Sequence, residues 1–268
     1  MNVVILCGGK GTRMREESEF KPKPLVEIGG RPVLWHIMKL YDHYGFRDFV
    51  LCLGYKGNMI KEYFLDYDAL NNDFAINLGR MRKIETLGTH EEQDYRVVLA
   101  DTGQESLTGA RVKRIEQYIT EDTFMVTYGD GVSNVNIEKL LAFHKSHGKI
   151  ATITTARLPT RYGILDVDKS GKVASFAEKP QLEGWANVGF FVFDRKIFKY
   201  LDDAEACALE DEPLKSLARD GQLMAFQHDG FFYAMDTYRE YLHLNDLWDR
   251  GEAPWAVWSN NSRPPHAR

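Results

Sequence analysis

Short runs of β-branched and aromatic residues alternate with amphipathic stretches through the first 156 residues of the chain. Strands are predicted at 3–7, 48–53, 96–100, 124–128 and 151–156, and helices at 32–44, 58–64, 109–119 and 137–147. Strand, helix and strand in repeated succession fold into right-handed crossovers between parallel neighbours. The expected fold is therefore α/β, with a mostly parallel sheet covered by helices on both faces. Ligands of such sheets collect at the carboxyl ends of the strands. Three predicted strands end in turns suited to that task, at Gly8-Gly9-Lys10-Gly11, Asp101-Thr102-Gly103 and Gly129-Asp130-Gly131.

Beyond these units the pattern changes. Residues 65–95 are poorly periodic and read as an insertion with a short hairpin. From Gly163, a run Ile164-Leu165-Asp166-Val167 is joined by Lys169-Ser170-Gly171-Lys172 to a second run at 173–177, the signature of a hairpin-like excursion. Residues 255–258, with Trp255 and Trp258, are expected to cap apolar surface, and 259–268 to form a disordered tail. The chain divides on this reading into one domain at 1–258, with a first part at about 1–160 and a second at about 161–258.

The first glycine turn leads to Arg13, and Lys21-Pro22-Lys23-Pro24 follows ten residues later. Glycines let a backbone approach an anion and aim several N–H groups at it. Arg13 adds a planar fork of donors suited to phosphate oxygens. The prolines hold Lys23 in a restricted chain and so reduce the entropy lost when it meets an anion. A strand-to-helix turn would explain the glycines alone, but not this collection of cations. The spacing Gly-Gly-x-Gly-x-Arg is neither a Walker loop, which needs Gly-Lys followed by Ser or Thr, nor the Gly-x-Gly-x-x-Gly dinucleotide fingerprint.

With 34 basic and 39 acidic residues, the net charge of −5 carries no basic stripe that would suit nucleic acid, so an anionic substrate must be met by local cations. Cys7, Cys52 and Cys207 have no Cys-x-x-Cys spacing and read as reduced thiols, the first two within core strands. His144 and His147 stand three apart on a predicted helix with no third ligand in register, and read as exposed helix histidines rather than a metal site. No stretch approaches the roughly 20 apolar residues of a membrane span. The expectation is a cytoplasmic protein with no membrane or nucleic-acid partner. Asp130, between two glycines at a strand end, suits Mg²⁺ held by one or two carboxylates together with substrate phosphates. Taken alone it reads equally as an Asp-Gly turn, and Asp236 alone reads as the cap of a helix starting near Thr237.

The opening strand, the Gly-Gly-x-Gly-Thr-Arg loop and the Pro-Lys-Pro behind it resemble the sugar nucleotidyltransferases, and the resemblance runs from Met1 to about Trp258. It implies a Rossmann-like three-layer sandwich with a mostly parallel, mixed sheet and a small sugar-binding β excursion. It implies Mg²⁺ on Asp130 and Asp236, and nucleotide contacts along Leu6, Cys7, Gly8, Gly9, Lys10, Gly11, Thr12 and Arg13. Further nucleotide contacts fall at Lys23, Ser106, Thr108, Gly109, Arg111 and Gly129. Glu178-Lys179-Pro180 matches the motif that binds the sugar phosphate, joined by Gly163 and by Asn187, although Val188 stands where an Asn-Gly-Gly pattern is common. Arg13, Lys23 and Asp130 are the implied catalytic residues, and a homo-oligomer is the implied assembly. Asp-Thr-Gly followed by Thr-Gly-x-Arg resembles the branch that couples CTP to glucose 1-phosphate, giving CDP-glucose and pyrophosphate. Cytosine presents adjacent acceptors at O2 and N3, which the donor-only guanidinium of Arg111 would satisfy and N3–H of uracil would not. A relative using UTP, dTTP or another sugar phosphate, and an inert nucleotide-sugar-binding regulator, stand as alternatives.

Overall fold

The computed structural model describes residues 1–11, 20–78, 83–92, 94–160, 162–178, 180–181 and 184–261. Its centre is a sheet of seven strands: β1 (Asn2–Leu6), β2 (Asp48–Leu53), β3 (Arg96–Asp101), β4 (Thr123–Tyr128), β5 (Ala151–Ala156), β6 (Ala186–Asp194) and β7 (Leu223–Gln227). They lie in the order β7-β5-β6-β4-β1-β2-β3. β1 pairs in parallel with both β2 and β4, β2 with β3, and β5 with β7. Only β6 runs against its neighbours, antiparallel to β4 and β5. The chain winds outward from β1 in one direction to β3, then returns to β4 on the other side, so β1 and β4 flank the point where the winding reverses. Their carboxyl ends diverge there into a crevice.

Both faces of the central strands are buried, which is why β1 and β2 run apolar over Val3–Leu6 and Phe49–Leu53 rather than alternating with polar residues. The twofold side-chain period sends Val3, Ile5 and Cys7 into one core layer and Val4 and Leu6 into the other. The first layer is covered by α1 (Val33–His43), α2 (Gly57–Leu65), α5 (Ile137–His147) and α7 (Tyr238–Asp249); the second by α4 (Thr108–Arg114) and α6 (Glu212–Arg219). A short α3 (Tyr67–Asn71) lies in the insertion. On α1, Val33, Leu34, Ile37, Met38 and Tyr41 repeat at helical spacing and are all buried. Local signals set the ends of α5: Asn136 accepts a hydrogen bond from the Lys139 N–H, and Gly148 closes the helix at φ 62°.

The insertion contains the anticipated hairpin, Phe74–Asn77 against Lys83–Thr86, and the excursion is a second one, Ile164–Val167 against Val173–Ala177. Trp255 is fully buried and stacks on Phe231 and Trp248, which makes the 255–258 segment part of the core wall. Two expectations need correction. The helix at 109–119 ends at Arg114 and continues as a single 3-10 turn, Glu116–Tyr118. His144 is buried and His147 half-buried, and both rings reach the Thr152 hydroxyl on β5, at 2.9 and 2.8 Å. Val257–Asn261 form another 3-10 turn, and 262–268 lie outside the described residues.

Burial pushes His144 and His36 down to about 4 each. Their folded pKa values lie below the ordinary value near 6.5, so the unfolded chain takes up protons that the folded chain refuses. This contribution to stability is complete above about pH 6.5 and is lost as pH falls toward 4. Each histidine should remove about 1.4 kcal/mol per pH unit across that window. Urea midpoints measured from pH 7 to pH 4.5 should fall, and His144→Gln should flatten the slope; an unchanged slope would show that His144 does not titrate with unfolding.

Candidate active site

A cavity of about 620 Å³ opens at the crevice between β1 and β4. The loop after β1 forms one wall through Gly8, Gly9 and Gly11, the segment Ser106 to Arg111 at the head of α4 forms a second, and Asn187 and Val188 of β6 form a third. On its floor the Lys23 ammonium donates to Asp130 Oδ2 at 2.6 Å and to Asp236 Oδ1 at 2.8 Å.

Each member of this cluster is placed by its own local structure. Lys23 opens a single 3-10 turn, Lys23–Leu25, behind an extended Pro22, and is only 9 % exposed. Asp130 comes one residue, Gly129, after the end of β4. A two-stranded ribbon pairs Gly131–Ser133 with Phe232–Ala234 in antiparallel register, with Ala234 opposite Gly131. That register brings Asp236 beside Asp130, and the Met235 N–H donates to the Asp130 carbonyl at 2.9 Å. Thr237, rather than Asp236, caps α7, and Glu240 closes the box by accepting from the backbone N–H groups of Asp236 and Thr237. The Asp236 carboxylate is thereby left to face the cavity.

Burial by itself would lower the Lys23 pKa, but Asp130 and then Asp236 more than offset it and raise the value, so the ammonium stays charged. Two carboxylates facing a common cation position fit a divalent ion completed by substrate phosphates. Among the described residues no group of three His, Cys, Asp or Glu side chains comes together as an all-protein cage. Burial also pushes the Cys7 thiol far up, which removes it as a nucleophile.

Arg111 is 4 % exposed and sits behind the loops that line the cavity. One terminal nitrogen donates to Leu53 O at 3.0 Å, Thr102 Oγ1 at 2.9 Å and Gly103 O at 2.8 Å; the other donates to Gly8 O at 3.0 Å and Gln104 O at 3.4 Å. A Cβ on Gly8 would stand 2.1 Å from this guanidinium, so Gly8 must lack one. The base-reading role expected of Arg111 requires N–H groups turned toward a ligand. Here its terminal nitrogens meet oxygens at the ends of three strands, and the side chain also borders the cavity.

Of the residues singled out in the sequence, Leu6, Cys7, Gly8, Gly9, Gly11, Lys23, Ser106, Thr108, Arg111, Gly129, Asp130, Asn187 and Asp236 all border the cavity. Lys10 does not; it pairs on the surface with Glu105 at 2.7 Å. Gly109 packs against Cys207, and Gly163 lies beside Glu178 across the open end of the second hairpin, away from the cavity wall. Thr12, Arg13 and Lys179 fall outside the described residues. Sequence reasoning missed Tyr128, Arg114 and Glu210. Arg114 donates to Thr102 O and Ser106 Oγ, at 2.9 and 2.8 Å, and so orders the same wall as Arg111. Its position three residues after Arg111, on the same face of one helix, was the available signal.

The family model described as nucleotidyl transferase matches residues 2–248 of the chain. A glucose-1-phosphate cytidylyltransferase of Salmonella typhimurium is 46% identical over 262 residues, covering 96% of this chain and 100% of that protein. A probable glucose-1-phosphate cytidylyltransferase of Bacillus subtilis is 43% identical, with the same 96% and 100% coverage. Among solved structures, HddC from Yersinia pseudotuberculosis superposes with a TM-score of 0.65 at 24% identity, over 92% of this chain and 99% of that one, a likeness of fold.

Removing the Lys23 ammonium takes away the cation that both carboxylates contact. Lys23→Met in the presence of a chelator should therefore melt several degrees below the unaltered protein, and millimolar Mg²⁺ should raise its Tm by more than it raises that of the unaltered protein. An equal or smaller Mg²⁺ shift in the variant would show that the two carboxylates do not share a cation position.

Proposed function

This chain belongs to the nucleotidyl transferase family, and on that premise we propose that it transfers the cytidylyl group of CTP to α-D-glucose 1-phosphate, giving CDP-glucose and pyrophosphate. The observation that carries this reading is the meeting of Lys23, Asp130 and Asp236 on the floor of one cavity, between a glycine loop on one side and the sugar-side strand β6 on the other. The cytidylyltransferase relatives, alike over almost the whole chain, supply the choice of base and sugar.

A phosphate oxygen of the sugar phosphate attacks the α-phosphorus of CTP in line. The new O–P bond forms as the bond to the β-phosphate bridging oxygen breaks, and that oxygen leaves with its electron pair as pyrophosphate. No protein nucleophile takes part. The protein's task is to hold two polyanions in register and offset charge growing on the leaving group. The backbone of Gly8 and Gly9 cradles the nucleotide. Lys23 serves the α-phosphate region, Arg13 the β and γ phosphates, and Lys179 and Glu178 the sugar phosphate and its hydroxyls, the last three on the strength of the motif match. Asp130 and Asp236 would hold Mg²⁺, which when bound adds positive charge against the phosphates.

We place the reaction in the cytoplasm, beside its nucleotide substrate; no helix among the described residues is long and apolar enough to cross a membrane. Both hairpins project apolar residues into solvent, Phe74, Ile76 and Ile84 on one and Ile164, Leu165 and Phe176 on the other. Surface of that kind supports assembly with further copies of the chain.

Pyrophosphate release measured with CTP, UTP, dTTP and GTP against several sugar 1-phosphates should be fastest for CTP with glucose 1-phosphate. Faster turnover with another pair would reassign the substrates, and nucleotide binding without turnover on any pair would favour the regulator. In the same assay Asp130→Asn should lower kcat by orders of magnitude while the fold persists, because an amide is a poor ligand for Mg²⁺. Near-normal turnover at saturating Mg²⁺ would remove Asp130 from the metal site.

A further inference from the structure

The carboxylate of Glu210 stands in the cavity wall at the meeting of its two halves. On one side the Thr108 hydroxyl, at the head of α4, donates to Glu210 Oε2 at 2.5 Å, and Thr108 Oγ1 in turn accepts from the Leu209 N–H at 2.9 Å. On the other side the Tyr128 hydroxyl donates to Glu210 Oε1. Asn187 Nδ2 then donates to Tyr128 Oη at 3.2 Å, while Asn187 Oδ1 accepts from the Gly189 N–H at 2.8 Å. The chain of hydrogen bonds thus runs from the nucleotide side, through one carboxylate, to the amide on the sugar side.

Two further features mark this as a built arrangement. Gly189 has φ +79°, and a Cβ there would lie 2.0 Å from the Tyr128 ring, so this backbone and this ring are fitted to each other. Burial first, and then the Glu210 carboxylate, push the Tyr128 phenol far above its ordinary value, so the hydroxyl keeps its proton and remains a donor to Glu210. The polarity of the chain is therefore fixed. A carboxylate offers only acceptors, both hydroxyls point their protons at it, and Tyr128 Oη is left to accept from Asn187.

We infer that Glu210 is a positioning residue for the sugar substrate, fixing Asn187 through Tyr128 while its other oxygen anchors the arrangement to Thr108. This rests on the reading of the cavity as a nucleotidyl transfer site. Thr108 keeps a second hold through Leu209, whereas the Tyr128 hydroxyl donates only to Glu210. Loss of the carboxylate therefore falls on the sugar side. Glutamine at this position would have to turn an N–H toward one of the two hydroxyls and would keep only half of the arrangement.

The test is steady-state kinetics on Glu210→Ala, Glu210→Gln, Tyr128→Phe and the Glu210→Ala/Tyr128→Phe pair, with thermal melting as the control for folding. Glu210→Ala and Tyr128→Phe should each raise KM for glucose 1-phosphate about tenfold, with KM for CTP changed less than threefold. Glu210→Gln should fall between unaltered and Ala. The double variant should be no worse than the more damaged single one, since both cut the same chain. Equal changes in both KM values, a change in kcat alone, or effects that multiply in the double variant would overturn the assignment. Should Glu210→Ala not fold, the isosteric Gln variant carries the same comparison. Turnover of the unaltered protein decides the substrates separately, and if another sugar 1-phosphate is the acceptor the same ratios are read with it.

Discussion

The buried guanidinium of Arg111 is the joint on which the upper edge of the sheet depends. Strands β1, β2 and β3 end side by side, and backbone carbonyls at or just past their ends converge on one point. Leu53, Gly8, Gly103 and Gln104 all direct theirs at this one side chain. Only a planar group with several fixed donors can satisfy carbonyls arriving from different loops; a lysine offers fewer N–H groups and no plane. Without it Leu53 O and Gly8 O would keep the Thr102 and Tyr55 N–H groups, so its removal falls hardest on the Gly103 and Gln104 carbonyls, at up to about 1–3 kcal/mol for an acceptor left buried and unpaired. This wall of the cavity is thus held in shape by the protein's own groups.

Charge on the cavity floor follows a related logic at a different place. Two carboxylates so close together would repel each other, and the Lys23 ammonium between them offsets that repulsion and holds the three side chains in mutual contact. Glu210 extends the pattern to uncharged partners, with one acidic group holding hydroxyls from both sides of the cavity.

Most of the frame could be read from the sequence because its signals are local. The strands at 48–53 and 151–156 and the helix at 137–147 have the bounds expected of them, each set by a run of apolar residues between turn or capping signals. The 109–119 helix was overextended because nothing in its periodicity marks the break after Arg114, where the backbone tightens into a 3-10 turn. The two histidines of α5 looked exposed because the one residue they share, Thr152, comes from β5 across the packing interface. Glu210 is illegible for the same reason: its partners lie 82 and 102 residues away, and in sequence it is one acid among several in Glu-Asp-Glu. For Arg111, donor chemistry in the sequence says that a guanidinium needs acceptors, and the backbone carbonyls it meets come from loops far apart in the chain.

The ion pair between Lys23 and Asp236 spans 213 residues of sequence, and this separation has a consequence for synthesis. At roughly 5–20 residues per second, a ribosome needs on the order of 10–40 s to travel from one partner to the other. The glycine loop and Lys23 emerge well before Asp236. For that interval a nascent chain carries the lysine without one of the two acids that contact it. A product that stops short of Asp236 would be left with an open floor, so this site closes only in chains carried past that residue.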